Sequence, residues 1–202
     1  MKRRDMVRGA ATVIPASIAL QMIGSKFAFA QEGDFDGPID VLNYALTLEY
    51  LEAEFYRQGN AAELLEGQAA QYLRDVQTDE EAHVMALTDT INQLGGDPVP
   101  PPMVDFGNAF TSGETFLETA FTFENLGVRA YLGAAPALYQ EKELLKAAAA
   151  IYGVEARHAA IIAQLQGKPP EGGVYMGAFE KPLSREEVLQ AASPFIVSTV
   201  TE

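Results

Sequence analysis

The stretch Val154-Glu155-Ala156-Arg157-His158 and the similar stretch Asp79-Glu80-Glu81-Ala82-His83 decide how this sequence folds. Each contains Glu-x-x-His, and together they use both histidines of the chain. Residues three apart lie on one face of a helix, about one turn from each other. Each motif can therefore direct a carboxylate oxygen and an imidazole nitrogen at one point, which is half of a metal site.

These motifs belong to an internal repeat with an offset of 75 residues. A glutamate stands 31 residues before the glutamate of each motif, Glu49 before Glu80 and Glu124 before Glu155. The offset also superimposes residues that are not candidate ligands, namely Thr47 on Thr122, Leu51 on Leu126 and Tyr56 on Tyr131. The match therefore covers a helical face, and it predicts two similar helix pairs that each supply half of a dinuclear site.

One glutamate from each of two helices and one Glu-x-x-His from each of two others is the arrangement of di-iron and di-manganese carboxylate bundles. Over residues 36–167 the sequence resembles the ferritin-like superfamily. The resemblance implies an all-α, ferritin-like four-helix bundle of two helix pairs, with two divalent metal ions, Fe or Mn. It implies that the motif glutamates bridge the ions and that the earlier glutamates are terminal, which gives the ligand set Glu49, Glu80, His83, Glu124, Glu155 and His158.

The helix boundaries follow from periodicity and from stop signals. Four long helices are predicted near 37–57, 69–93, 112–134 and 142–166. The segment 95–113 holds four prolines and is predicted to be a long crossover, because an interdomain linker would leave each half with two helices and half a site. The extension 168–202 contains Ser184-x-x-Glu187, a capping box that predicts a short C-terminal helix.

Two further sets of polar residues border the candidate site. Tyr56 and Tyr131 follow the terminal glutamates by seven residues. They either donate hydrogen bonds to the site or relay electrons, or they cap the core with their hydroxyls near solvent. Glu81 lies about 100° around the helix from Glu80 and is predicted to face solvent. Solvated positions are also predicted for the acidic cluster Glu52, Glu54, Glu63 and Glu66.

Composition limits the class of protein. The chain has 202 residues, 48% of them hydrophobic, and no cysteine, which predicts one domain with a real core and without disulfides or thiolate ligands. Its net charge of −14 disfavours nucleic acid and anionic membrane surfaces as partners. After the N-terminal region, no stretch reaches the roughly 18 apolar residues of a membrane span.

Residues 1–30 have the pattern of a signal peptide. Lys2-Arg3-Arg4 precedes an apolar run at about 10–23, and Ala28-Phe29-Ala30 is a small-x-small cleavage signature. The run Arg3-Arg4-Asp5-Met6-Val7-Arg8 resembles a twin-arginine signal, while an ordinary secretory signal or an uncleaved anchor stays open. Cleavage would remove five basic residues and one acidic residue, which changes the net charge to −18. The expected localisation is periplasmic or extracellular.

Two classes of function remain. One is an oxidoreductase that acts on O2 or peroxide, with ferroxidase-type or manganese-catalase-like chemistry. The other is a stress-protective, non-catalytic bundle with a structural metal or none. The export signal, the proline-rich crossover and Pro182-Leu183-Ser184 resemble the exported bacterial family related to plant desiccation-related proteins. A homo-oligomer stays open, whereas a serine-triad hydrolase and a nucleotide-binding enzyme are excluded because both histidines are assigned and no phosphate-binding glycine loop occurs.

Overall fold

The computed structural model describes residues 34–175 and 177–197. Within them we number five α-helices in chain order: α1 Pro38–Ala61, α2 Gly67–Gln93, α3 Gly113–Ala134, α4 Lys142–Leu165 and α5 Arg185–Ala192. Short 3-10 helices follow α3 and α5, at Ala135–Leu138 and Ser193–Phe195. These ranges contain no β-strand, so the all-α prediction is confirmed. The predicted signal peptide, residues 1–30, lies outside them.

The four long helices form two antiparallel pairs, α1 with α2 and α3 with α4. Contacts between the pairs set their relative direction. Tyr56 of α1 meets Glu124 of α3, whereas Tyr131 of α3 meets Glu49 of α1, so these two helices are also antiparallel. It follows that α2 and α3 run in the same direction, which requires a connection along the length of the bundle.

Residues 94–112 form that connection, as predicted. Gly95 adopts a left-handed φ of 76°, which ends α2. Asn43 of α1 then binds the departing chain. Its Oδ1 accepts from the Val99 amide at 2.8 Å, and its Nδ2 donates to the Asp97 carbonyl at 3.1 Å. The crossover is thus attached to the first helix pair, and the prediction of a long crossover is confirmed.

Helix α1 continues four residues beyond its predicted end near Arg57. Gly59 suggested a stop, but it lies inside the helix. A Cβ at this position would stand 2.2 Å from Cε2 of Phe116, so the glycine allows α3 to approach α1 closely. The other three predicted long helices agree with the structure to within two residues at each end.

An aromatic cluster holds α1 against α3 and the crossover. Phe55 stands at its centre, fully buried. Its ring centroid lies 4.9–5.3 Å from those of Tyr56, Phe106, Phe110, Phe116 and Phe123. Such pairs add to the stabilisation that comes from area burial. The cluster therefore fixes the segment of α1 that carries the tyrosine next to the candidate site.

The C-terminal extension packs back on the bundle. Helix α5 opens with the predicted capping box between Ser184 and Glu187 and packs against α3 with Val188 fully buried. Arg185 forms a bidentate ion pair with Asp40 of α1 at 2.7 and 3.0 Å. The short C-terminal helix of the prediction is confirmed. In the described part of the chain no helix is long and apolar enough to cross a membrane.

Candidate metal centre

The six predicted ligands come from four helices and meet near the middle of the bundle. The four carboxylates have no exposed surface, and the two histidines are buried as well. Their ligand atoms form two groups, each with all its atoms within 4.8 Å of one another: Glu49, Glu80, His83 and Glu155 in one, and Glu80, Glu124, Glu155 and His158 in the other. Glu80 and Glu155 belong to both groups, which is where bridging ligands would stand.

The atoms of Glu80 show this shared position directly. Its Oε2 lies 3.1 Å from Nδ1 of His83, and its Oε1 lies 2.9 Å from Nδ1 of His158. Glu155 completes the first group with Oε1 at 3.3 Å from Nδ1 of His83. Glu80 thus presents one oxygen to each half of the site.

Several of these atoms point at a common space and have no hydrogen-bond partner. Among the described residues, no hydrogen bond reaches Nδ1 of His158, Oε1 of Glu80, Oε2 of Glu124 or either oxygen of Glu155. Neighbouring ligand atoms lie 2.9–3.3 Å apart. Two ligands at right angles on an ion with bonds of about 2.1 Å would be about 3.0 Å apart. The donor set therefore fits a pair of small divalent cations.

Tyr56 and Tyr131 bind Glu124 and Glu49, the predicted terminal carboxylates, from the opposite helix. The Tyr131 hydroxyl donates to Oε1 of Glu49 at 2.5 Å, and the Tyr56 hydroxyl donates to Oε1 of Glu124. Both tyrosines are buried, so their hydroxyls lie at the site and away from solvent. The other oxygen of each carboxylate faces a histidine, at 3.2 Å for Glu49 and 3.3 Å for Glu124. Each tyrosine thus binds one carboxylate oxygen, and the other oxygen faces a histidine of the cluster.

The solvent-facing prediction for Glu52 is wrong. Glu63 and Glu66 are exposed and Glu54 pairs with Arg57 at the surface, but the Glu52 side chain is only 3% exposed. The reason is helical geometry, since Glu52 follows Glu49 by three residues and shares its inward face. The spacing that identified the Glu-x-x-His motifs could have found it.

Asp79 is a second residue that the sequence interpretation missed. Its Oδ2 lies 3.1 Å from Nε2 of His158. A carboxylate there holds the proton on Nε2 and leaves Nδ1, which faces Glu80, free to bind a metal. The repeat places Val154 at the corresponding position of the second half, so this position supplies no equivalent carboxylate to His83.

Replacing Asp79 with alanine is expected to weaken metal binding about 10-fold, since the loss of an outer partner of a metal-binding histidine costs 10–100-fold and Asp79 is half exposed. Titration of metal-free protein with Mn(II) measures the effect. Asp75→Ala is the matched control, because Asp75 lies one turn earlier on α2, is exposed and accepts a hydrogen bond from Gln71 at the surface. Equal affinity of the two variants would contradict the assignment.

In the absence of metal, the net charge of this cluster depends on which of its side chains are protonated. Burial by itself lowers the pKa of His83, but the three carboxylates around it outweigh burial and raise the pKa to about 12. The pKa of His158 is raised to about 11 in the same way. Burial and the neighbouring carboxylates raise the pKa of Glu155 well above its usual value. A metal must therefore displace protons when it binds.

The comparison with known families agrees with this geometry. Residues 37–168 match the family model described as ferritin-like domain. The chain belongs to the ferritin-like family. The matched region begins one residue before α1 and ends three residues after α4, so the ferritin-like domain contains all six candidate ligands. Comparison with curated proteins gives no match.

Proposed function

We propose that this ferritin-like protein binds two Fe or Mn ions and is an oxidoreductase that acts on O2 or peroxide. The observation that supports this most strongly is the sharing of Glu80 and Glu155 between two groups of buried donors. Oxygen and imidazole donors suit Fe(II) and Mn(II). Four carboxylates also balance the charge of two divalent ions, which removes the repulsion of an otherwise costly buried cluster.

Two bound Fe or Mn ions would supply the electron transfer that the reduction of O2 or the dismutation of peroxide needs. The side chains of the protein would position the two ions. Glu80 and Glu155 would fix the ions at short separation, while Glu49 and Glu124 would each bind one ion. Tyr131 and Tyr56 orient those terminal carboxylates. Burial raises the pKa of both tyrosines, and the adjacent carboxylates raise it further, so they stay protonated donors at neutral pH.

The enclosure of the site favours small substrates. All four carboxylates have no exposed surface, and His83 keeps only 11% of its side chain exposed. A ligand larger than a few atoms would have to displace helices to reach the space between the donors. O2 and hydrogen peroxide meet this restriction.

The test is turnover by defined metal forms. Metal-free protein is loaded anaerobically with Fe(II) or with Mn(II) and then exposed to O2 or to hydrogen peroxide. Oxidation of bound Fe(II) by O2 faster than that of free Fe(II) would identify a ferroxidase-type activity, and O2 release from peroxide by the Mn form would identify a catalase-like activity. If neither form exceeds free ions, the enzymatic proposal is wrong and the protective, non-catalytic class is the better account.

We also propose that the protein is exported by the twin-arginine route and belongs with the exported bacterial proteins related to plant desiccation-related proteins. The support is the sequence of residues 1–30 and the proline-rich crossover. Changing Arg3 and Arg4 to lysine is expected to retain the protein in the cytoplasm. Fractionation of cells that express both forms measures this, and unchanged export would contradict the route.

A further inference from the structure

Glu52 is a fifth buried carboxylate, and the six-ligand site gives it no role. It lies on α1 one turn after Glu49 and is 3% exposed. Its Oε2 is buried without a hydrogen-bond partner among the described residues. A buried, uncompensated carboxylate is costly, so a group of this kind needs either a proton or a cation.

Gly127 of α3 lies beside the carboxylates of Glu52 and Glu155. A Cβ built on Gly127 would lie 3.2 Å from Oε1 of Glu52 and 2.8 Å from Oε2 of Glu155. Both oxygens therefore border the same small space beside α3, which the glycine leaves open. This oxygen of Glu155 is itself buried and unpartnered. Glu52 thus adds a carboxylate to the candidate metal site next to Glu155, one of the two proposed bridging ligands.

In the internal repeat, the additional carboxylate occurs in the first half and has no counterpart at the matching position of the second half. With the offset of 75 residues, the position that corresponds to Glu52 in the second half is Gly127 itself. One half of the bundle therefore contributes an additional carboxylate, and the other half contributes the space that receives it. The two candidate ion positions would therefore differ in their carboxylates, in addition to the difference that Asp79 makes beside His158.

Among the described residues, the strongest charge effects on Glu52 come from other carboxylates. The charged neighbours that act on it are Glu155, Glu80, Glu49 and Glu124, all of the same sign. Burial, followed by these four carboxylates, raises its pKa well above the usual value. A cation bound next to Glu155 would compensate the repulsion between Glu52 and these carboxylates.

We propose that Glu52 is a seventh ligand of the metal pair, which binds beside Glu155 in the space that Gly127 leaves open. This inference rests on the proposed dinuclear function. Five carboxylates carry one more negative charge than two divalent ions neutralise. Glu52 would therefore favour a pair in which one ion is trivalent, and it would bind one ion more strongly than the other.

The experiment compares metal binding by Glu52→Gln with that of the unchanged protein. Metal-free protein is titrated calorimetrically with Mn(II) and, under anaerobic conditions, with Fe(II). We expect glutamine, which keeps the size of the side chain but loses its charge, to weaken one of the two binding steps at least about 10-fold. The matched control is Glu54→Gln on the same helix, whose side chain pairs with Arg57 at the surface and should leave both steps unchanged.

A second variant fills the same space with a side chain from α3. Gly127→Ala would place a methyl group against the oxygens of Glu52 and Glu155, and we expect it to weaken the same binding step. Circular dichroism of the metal-free variants checks that the helices are retained. If Glu52→Gln binds both ions like the unchanged protein, this inference is overturned and the dinuclear site stands. If the unchanged protein binds no ion, the proposed function and this inference fail together.

Discussion

Replacement of Glu80 by glutamine is expected to lower the affinity for both metal ions at least about 100-fold. Glu80 presents one oxygen to each histidine, at 3.1 Å from His83 and 2.9 Å from His158, so the loss of its charge affects both halves of the site. Loss of an outer partner of a ligand already costs 10–100-fold, and a shared ligand should cost more. Elemental analysis of the loaded and desalted protein should find well under one ion per chain.

The adjacent residue provides the matched control. Glu81 is exposed, as predicted, and accepts a hydrogen bond from Gln77 at the surface. Glu81→Gln removes the same charge from the same helix and should leave the metal content unchanged. If Glu80→Gln retains the ions while its helices are intact, Glu80 is not a bridging ligand. If both variants lose them equally, the effect is one of surface charge and the site assignment is contradicted.

The stabilisation of the bundle by metal is expected to increase as the pH rises from about 6 to 8.5. In the metal-free bundle the pKa of His83 is about 12 and that of His158 about 11, against 6.5 in an unfolded chain. Above pH 6.5 the unfolded chain therefore holds fewer protons than the folded one, and the free energy of unfolding falls by up to about 1.4 kcal/mol per pH unit for each such group. The raised pKa of Glu155 acts in the same direction from about pH 4.5 upward.

Metal binding removes this fall of the free energy of unfolding with rising pH, because the ligands bind as carboxylates and neutral imidazoles. Melting temperatures measured with and without Mn(II) should therefore diverge as the pH rises. Glu81→Gln should follow the unchanged protein, whereas Glu80→Gln should show little metal-dependent shift at any pH. A difference that is constant or that narrows with rising pH would contradict the proton displacement described here.

The sequence predicted the fold and the meeting of the six candidate ligands, because both depend on helical periodicity. Glu-x-x-His places two donors on one face, and the repeat offset of 75 aligns the remaining glutamates with them. The proline-rich segment excluded a continuous helix and so predicted the crossover. These inferences use spacing along the chain, which a repeated four-helix bundle preserves.

The features that the sequence interpretation missed depend on packing between helices. Gly59 suggested a helix end, but it serves the close approach of Phe116. Asp79 reaches His158 only because α2 lies against α4, and no spacing along one helix predicts that contact. Glu52 is the exception, since its spacing from Glu49 was visible. It was placed with the surface carboxylates because acidic residues are seldom fully buried.

The most direct test of the account is the metal content of the protein purified from the cells that produce it, determined by elemental mass spectrometry against protein concentration. The two groups of ligands around Glu80 and Glu155 predict about two Fe or Mn ions per chain. The identity of the ion would also select between iron-oxygen and manganese-peroxide chemistry. A folded protein that contains no metal, and that takes up neither Fe(II) nor Mn(II) under anaerobic conditions, would contradict the dinuclear centre.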